Sequence, residues 1–173
     1  MPKTYVQSDE WKSQTQSILP YLATPFEVIQ DIFAFLVTKT PLAGKSLVDL
    51  GAGDGRVIFY GAEHHDMNTT GVEINQEFLE GMRTTVATRG LQDRVLVVEA
   101  DLFNFNLEPF DFVFCYLTPA CNRVLEHLIK QIKPHALVIS IRWPLTPFEQ
   151  YWHQIYELRF LTDMKVWIYE KSD

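Results

Sequence analysis

The stretch VDLGAGDGRVIFYGAE, Val48 to Glu63, sets Gly51, Gly53 and Gly55 in a G-x-G-x-G spacing directly after a short apolar run. Asp49 stands before the first glycine and Asp54 before the third. Glycines so spaced let a chain turn sharply from strand to helix and bring its backbone close to a ligand. The helix N-terminus behind such a turn favours negative charge, so a loop that cradled phosphate would not carry two acids. The pattern points to a ligand that uses the same turn but brings hydroxyls, amines or positive charge. The dinucleotide spacing G-x-G-x-x-G would need glycine at Arg56, and the phosphate loop G-x-x-x-x-G-K-[ST] is absent.

Two further acids follow in register. Glu73 comes about twenty residues beyond the loop, where an acidic side chain takes both ribose hydroxyls. Asp101, in EADLF, stands beside Leu102. An adenine packed on Leu102 would donate its exocyclic amine to an ionised Asp101, which only accepts. Together these residues describe a nucleoside with no demand for phosphate. Taken singly they stay open: the glycines also suit a plain tight turn, and Glu73 and Asp101 also suit solvated loops or helix caps. Asp54 either caps the helix behind the loop or meets the ligand.

The elements that would position these residues alternate. Strands are predicted at Ser46–Leu50, Thr69–Ile74, Val95–Glu99, Asp111–Cys115 and Ala136–Ile141. Between them the periodicity predicts helices at Gly55–His64, with Val57, Ile58, Gly61 and Ala62 inward, and at Gln76–Arg89, with Phe78, Met82 and Val86 inward and Gly90 as the stop. A third runs from Ala120 to Lys133, with Val124, Leu125, Leu128, Ile129 and Ile132 on one face. Ahead of them, Thr24-Pro25-Phe26-Glu27 reads as a cap, a first-turn proline and a capping-box glutamate for a helix carrying Ile29, Ile32, Phe33 and Leu36. Alternation of this kind gives an α/β, doubly wound, mostly parallel sheet. The last segment, WHQIYELRFLTDMKVWIYEK, reads as an antiparallel hairpin with a Thr162-Asp163 turn.

At 173 residues, 47% hydrophobic and 21% charged, the chain reads as one globular domain. Residues 1–44 would be a helical segment over the ligand site and 45–173 the core. The net charge of −7 argues against general nucleic-acid binding, which needs clustered lysine and arginine. Two cysteines without a C-x-x-C pair argue against a zinc site or disulfide framework and for a reducing, cytoplasmic setting. The N-terminus lacks an apolar signal core, and no run is long enough to span a bilayer. His64-His65-Asp66 reads as solvated loop rather than a metal site, since adjacent residues rarely converge on one ion. Cys115 reads as buried at a strand end and Cys121 as a helix residue.

DLGAGDGR followed by Glu73 and Asp101 resembles the seven-β-strand S-adenosylmethionine-dependent methyltransferases, from Ser46 to the C-terminus. That resemblance implies a Rossmann-like seven-stranded fold and a cofactor whose ammonium and sulfonium account for acids beside the glycine loop. It implies cofactor binding by Thr24, Asp49, Gly51, Gly53, Gly55, Glu73, Asp101 and Leu102. For Thr24, a bare capping role explains the residue equally well.

PYLATPFEVIQDIF, from Pro20, and YLTPACN, Tyr116 to Asn122, are similar to the small archaeal-type protein lysine methyltransferases and their ATP-synthase c-subunit relatives. The Asn/Asp-Pro-Pro-aromatic sequence of many nucleic-acid amino methyltransferases is not there. Two departures bear on the substrate: His135 stands where Lys-Pro-Gly would be usual, and Met1 to Leu19 match nothing in the group.

The resemblance implies transfer of methyl to a protein lysine by in-line displacement, in a dry channel lined by Tyr116 and Trp143 with Asn122 orienting the amine. Core packing also suits Tyr116 and Trp143, and helix capping also suits Asn122. Rival readings are a small-molecule N- or O-methyltransferase, a non-catalytic cofactor-binding module and, more distantly, a nicotinamide oxidoreductase. The sequence is silent on the target, the number of methyl groups and the oligomeric state.

Overall fold

The computed structural model describes residues 21–145, 149–160 and 164–173. Each aliphatic run forms a strand: β1 (Ser46–Leu50), β2 (Asn68–Glu73), β3 (Val95–Glu99), β4 (Phe112–Cys115) and β5 (Leu137–Ile141). Their pairings are all parallel, with β1 between β2 and β4. β6 (Trp152–Arg159) and β7 (Lys165–Lys171) pair antiparallel, and β7 also lies antiparallel to β5. The sheet order is β3-β2-β1-β4-β5-β7-β6. This is the mostly parallel, seven-stranded Rossmann-like sheet with a C-terminal hairpin that the sequence implies. The Thr162-Asp163 turn lies outside the described residues.

The chain runs outward from β1 one way to β2 and β3, and the other way to β4 and β5. Strand order therefore reverses beside β1, and a crevice opens outside the carboxyl ends of β1 and β4. Alternate residues serve opposite faces. Leu47, Phe112, Phe114 and Ile139 join one core, and Val48, Leu50, Val113 and Val138 the other. Both faces are covered, which is why these strands read as nearly unbroken apolar runs.

Helix α1 (Phe26–Leu36) covers the first face with α2 (Arg56–His65) and α3 (Gln76–Arg89). α1 buries Val28, Ile29, Ile32, Phe33 and Leu36 completely. Each such side chain contributes roughly 1.5–3 kcal/mol, so α1 is firmly docked. The Asn75 side chain caps α3 by accepting from the Glu77 and Phe78 N–H groups, and Gly90 ends it at φ 66°.

Four local expectations are corrected. The helix expected from Ala120 to Lys133 is two single turns, α4 (Pro119–Asn122) and α5 (Glu126–Ile129). Thr118 caps α4 with its side chain, and tight i→i−3 bonds from Val124 to Cys121 and Leu125 to Asn122 close the turn. The break rotates Val124 outward to 53% exposure, whereas Leu125, Leu128, Ile129 and Ile132 stay buried. At α1 the cap position falls on Pro25, with no side-chain cap bond, and Thr24 is buried instead. In α3 Leu79, not Phe78, joins Met82 and Val86 in the core. His64 and His65 belong to the last turn of α2, where the His65 ring stacks on Phe33 at 4.9 Å. Burial and the neighbouring His64 hold His65 below its ordinary pKa.

Candidate active site

The glycine loop leaves β1 under tight control. The Gly51 and Ala52 N–H groups both donate to the Val72 carbonyl, at 2.9 and 3.0 Å, tying the turn to β2. Gly51, Gly53 and Gly55 all have positive φ, at 78°, 55° and 80°, in the region that favours glycine. A Cβ at Gly53 would stand 2.4 Å from the Tyr21 ring, and one at Gly55 2.6 Å from Phe59 and 2.9 Å from Met82. The loop is thus shaped both by backbone conformation and by what lies against it.

Three carboxyl groups stand at successive strand ends. Glu73 accepts from Gly53 N–H through Oε2 at 2.9 Å, and from Ile74 and Asn75 N–H through Oε1 at 2.8 and 2.9 Å. Three of its roughly four lone-pair sites are filled, leaving Oε2 able to accept once more. Asp101 accepts from Phe103 N–H at 3.0 Å and from the Asn104 amide at 2.8 Å, capping the turn Leu102–Asn104. Asp49 differs: it is 8% exposed, and among the described residues no donor reaches its carboxyl. Burial, then the charges of Glu73 and Asp54, push its pKa up to about 7.

The other loop acid has a different task. Asp54 forms an ion pair with Arg56 and accepts a hydrogen bond from Tyr21. Burial alone would raise the Asp54 pKa, but the hydrogen bonds from Arg56 and Tyr21 outweigh it and hold the carboxyl below its ordinary value. Arg56 Nη1 also donates to the Thr24 carbonyl at 2.9 Å. The Tyr21 ring lies over Gly53 and 4.5 Å from the Phe78 ring. Residues 21–24 are thereby clasped as a strap across the loop.

At the other end, Tyr116 and Trp143 follow β4 and β5 with ring centroids 6.0 Å apart. The Ser140 hydroxyl donates to the Trp143 carbonyl at 2.6 Å and fixes that turn. Asn122 is a correction: it is 1% exposed, and its amide faces the carbonyls of Trp143 and Pro144 at 3.5 and 3.4 Å. It ties α4 to the loop after β5 and does not line the cavity. Nor does it cap a helix start, which Thr118 does. Cys115 is buried, and that burial pushes its thiol up to about 12.

These parts enclose a cavity of about 460 Å³, within the range of small-molecule sites. Thr24, Asp49, Gly51, Glu73, Asp101, Leu102, Tyr116 and Trp143 all line it; Gly53, Gly55 and Asn122 do not. It runs from the end of β3 across β1 to the end of β5, about 19 Å at the usual strand spacing. Tyr21, Arg56, Asn75 and Phe78 also line it and were missed in the sequence. Phe78 carried a signal, an aromatic in the first turn of the helix after Glu73, but its spacing with Met82 suited the core equally.

A donorless carboxyl beside a close-approach backbone, with acids at the two neighbouring strand ends, fits a nucleoside bearing an ammonium group. The sheet order and this site define a class I, seven-β-strand S-adenosylmethionine-dependent methyltransferase. Similar structures carry that cofactor's product. The chain superposes at a TM-score of 0.77, with 24% identity, on an RNA methyltransferase from Salinibacter ruber in complex with S-adenosyl-L-homocysteine, covering 88% of this chain and 95% of that one.

Residues 49–151 match the family described as the ANTKMT methyltransferase domain, and the chain belongs to that family. It is 28% identical over 125 residues to a protein-lysine N-methyltransferase of Saccharolobus islandicus, covering 70% of this chain and 75% of the relative. It is 23% identical over 157 residues to the ATP synthase c-subunit lysine N-methyltransferase of Caenorhabditis elegans, covering 89% and 81%. No helix among the described residues is long and apolar enough to cross a membrane.

Proposed function

We propose that the chain transfers methyl from S-adenosylmethionine to the ε-amine of a protein lysine. The single observation that carries this is the division of the cavity into a half lined by Glu73 and Asp101 at the ends of β2 and β3 and an aromatic-walled half at β4 and β5. When bound, the cofactor supplies an electrophilic methyl group on a sulfonium.

The residues would divide the work as follows. Glu73 accepts a ribose hydroxyl at Oε2, Asp101 accepts the adenine amine, and Leu102 packs on the ring. Asp49 faces the ammonium of the amino-acid end. Thr24 lies beside the same end, in the strap. Gly53 and Gly55 shape the loop rather than touch the ligand. Tyr116 and Trp143 wall the path of the incoming amine.

A lysine begins with a pKa near 10.4, so presenting it neutral at pH 7 costs about 4–5 kcal/mol. A dry aromatic channel lowers that pKa by disfavouring the cation, and the same π faces hold the methylated product. In-line displacement then needs alignment more than acid–base chemistry. The names of the lysine-modifying relatives support the acceptor class. The Salinibacter ruber likeness bears on the fold alone, and a net charge of −7 suits a protein acceptor better than an RNA backbone. Two buried free cysteines suit a reducing, cytoplasmic setting.

Radiolabelled S-adenosylmethionine and cell extract provide the test. Label in high-molecular-weight material should be released by protease and survive nuclease. Release by nuclease, or label confined to small metabolites, would contradict the assignment.

A further inference from the structure

Beside the aromatic half of the cavity stands a residue that the methyl-transfer scheme does not use. Arg142 follows the last residue of β5 with φ 71°, a left-handed backbone that an arginine rarely adopts. Its N–H donates to the Lys165 carbonyl at 2.8 Å, which locks that conformation to β7. The turn sends the guanidinium sideways, 5.1 Å from the Trp143 ring, with Nη1 donating to the Tyr116 hydroxyl at 3.5 Å. It therefore touches both aromatics at the mouth of the acceptor path.

Arg56, Arg89, Arg94 and Arg159 each pair with a carboxylate of the chain itself. Arg142 is exposed and, like Arg83 and Arg123, forms no ion pair among the described residues; its place against Tyr116 and Trp143 sets it apart. The carboxyls at the cavity are engaged or set deep: Asp54 with Arg56, Glu73 and Asp101 with backbone donors, and Asp49 on the floor. With Nη1 directed at Tyr116, the Nε and Nη2 donors meet no acceptor among the described residues. Such a pair matches a carboxylate in two parallel hydrogen bonds.

We propose that Arg142 is a specificity determinant: it docks an aspartate or glutamate side chain flanking the target lysine. The acceptor would thus be a lysine with an acidic neighbour, read by one bidentate contact just outside the channel. This rests on the lysine reading above.

The test uses the full chain with S-adenosylhomocysteine. Two synthetic peptides carry a lysine that the wild type methylates, one with aspartate beside it and one with asparagine. Calorimetry should find the aspartate peptide bound about tenfold more tightly by the wild type. Arg142→Gly, which suits the left-handed backbone, should abolish the preference and leave S-adenosylhomocysteine binding and the melting temperature intact. Arg142→Glu should reverse it for a peptide with lysine in the flanking position. Equal affinity of the wild type for both peptides, or a preference that survives Arg142→Gly, would overturn the proposal. If the wild type methylates no lysine at all while still binding S-adenosylhomocysteine, the lysine reading itself fails.

Discussion

Asp49 is the cavity acid whose protonation a cationic ligand would change, since burial and two neighbouring acids already hold its proton. Its pKa of about 7 lies above the unperturbed 3.8, so the folded chain holds a proton that the unfolded chain has lost. From about pH 4 to 7 the unfolded state binds fewer protons, and stability without ligand falls as pH rises, by about 4 kcal/mol over the whole window. Asp49→Asn should remove this slope and raise the ligand-free melting temperature at pH 8 above wild type, read by thermal melts across pH. A cationic ligand favours the ionised carboxylate. S-adenosylmethionine affinity should therefore rise with pH up to about 7 in the wild type and show no such rise in Asp49→Asn. The acid's presence was plain in the sequence. Its isolation was not, because lack of a donor is a fact about folded neighbours.

Among the elements, the strap and the glycine loop act as one unit, and two glycines separate its functions. Gly53→Ala would press a methyl group into the Tyr21 ring. An aromatic side chain on a strap can move aside, so the stability cost should be limited to the left-handed strain at φ 55°, about 1–2 kcal/mol in denaturant unfolding, while S-adenosylhomocysteine affinity drops about tenfold by calorimetry. Gly55→Ala would press into Phe59 and Met82 within the core, at φ 80°. That variant should lose about 2–4 kcal/mol in denaturant unfolding, from overpacking and left-handed strain together. Asp54→Asn removes the charge from the clasp and should quicken S-adenosylhomocysteine release in stopped-flow measurements without altering the fold.

The strap was legible as part of a segment expected over the ligand site, with a helix start at Thr24 and Pro25, but its contacts were not. Its contacts are distant in sequence: Arg56, which holds the Thr24 carbonyl, lies 32 residues further along the chain. Asp54's clasp role was hidden for the same reason, since capping and long-range pairing look alike in one dimension. The broken α4–α5 segment misled because its apolar spacing is helical throughout, while the tight i→i−3 bonds at Val124 and Leu125 divide it.

At the scale of the molecule, strand alternation carried the fold. β1 to β5 are short aliphatic runs ending at turns, and a parallel sheet buried on both faces leaves few other arrangements. The hairpin was legible too, but not that β7 would insert beside β5 and leave β6 at the edge. That insertion matters for function: it brings Lys165 against Arg142 and fixes the rim of the acceptor half. Residues far from the glycine loop thus shape the end of the cavity where substrates would differ. Lysine methylation at that end is the central claim. Tandem mass spectrometry of extract proteins treated with the chain and a trideuteromethyl donor tests it most directly. The deuterated methyl should appear on a lysine ε-nitrogen and be absent with Glu73→Ala; the same mass on a nucleobase, or on no protein residue, would contradict it.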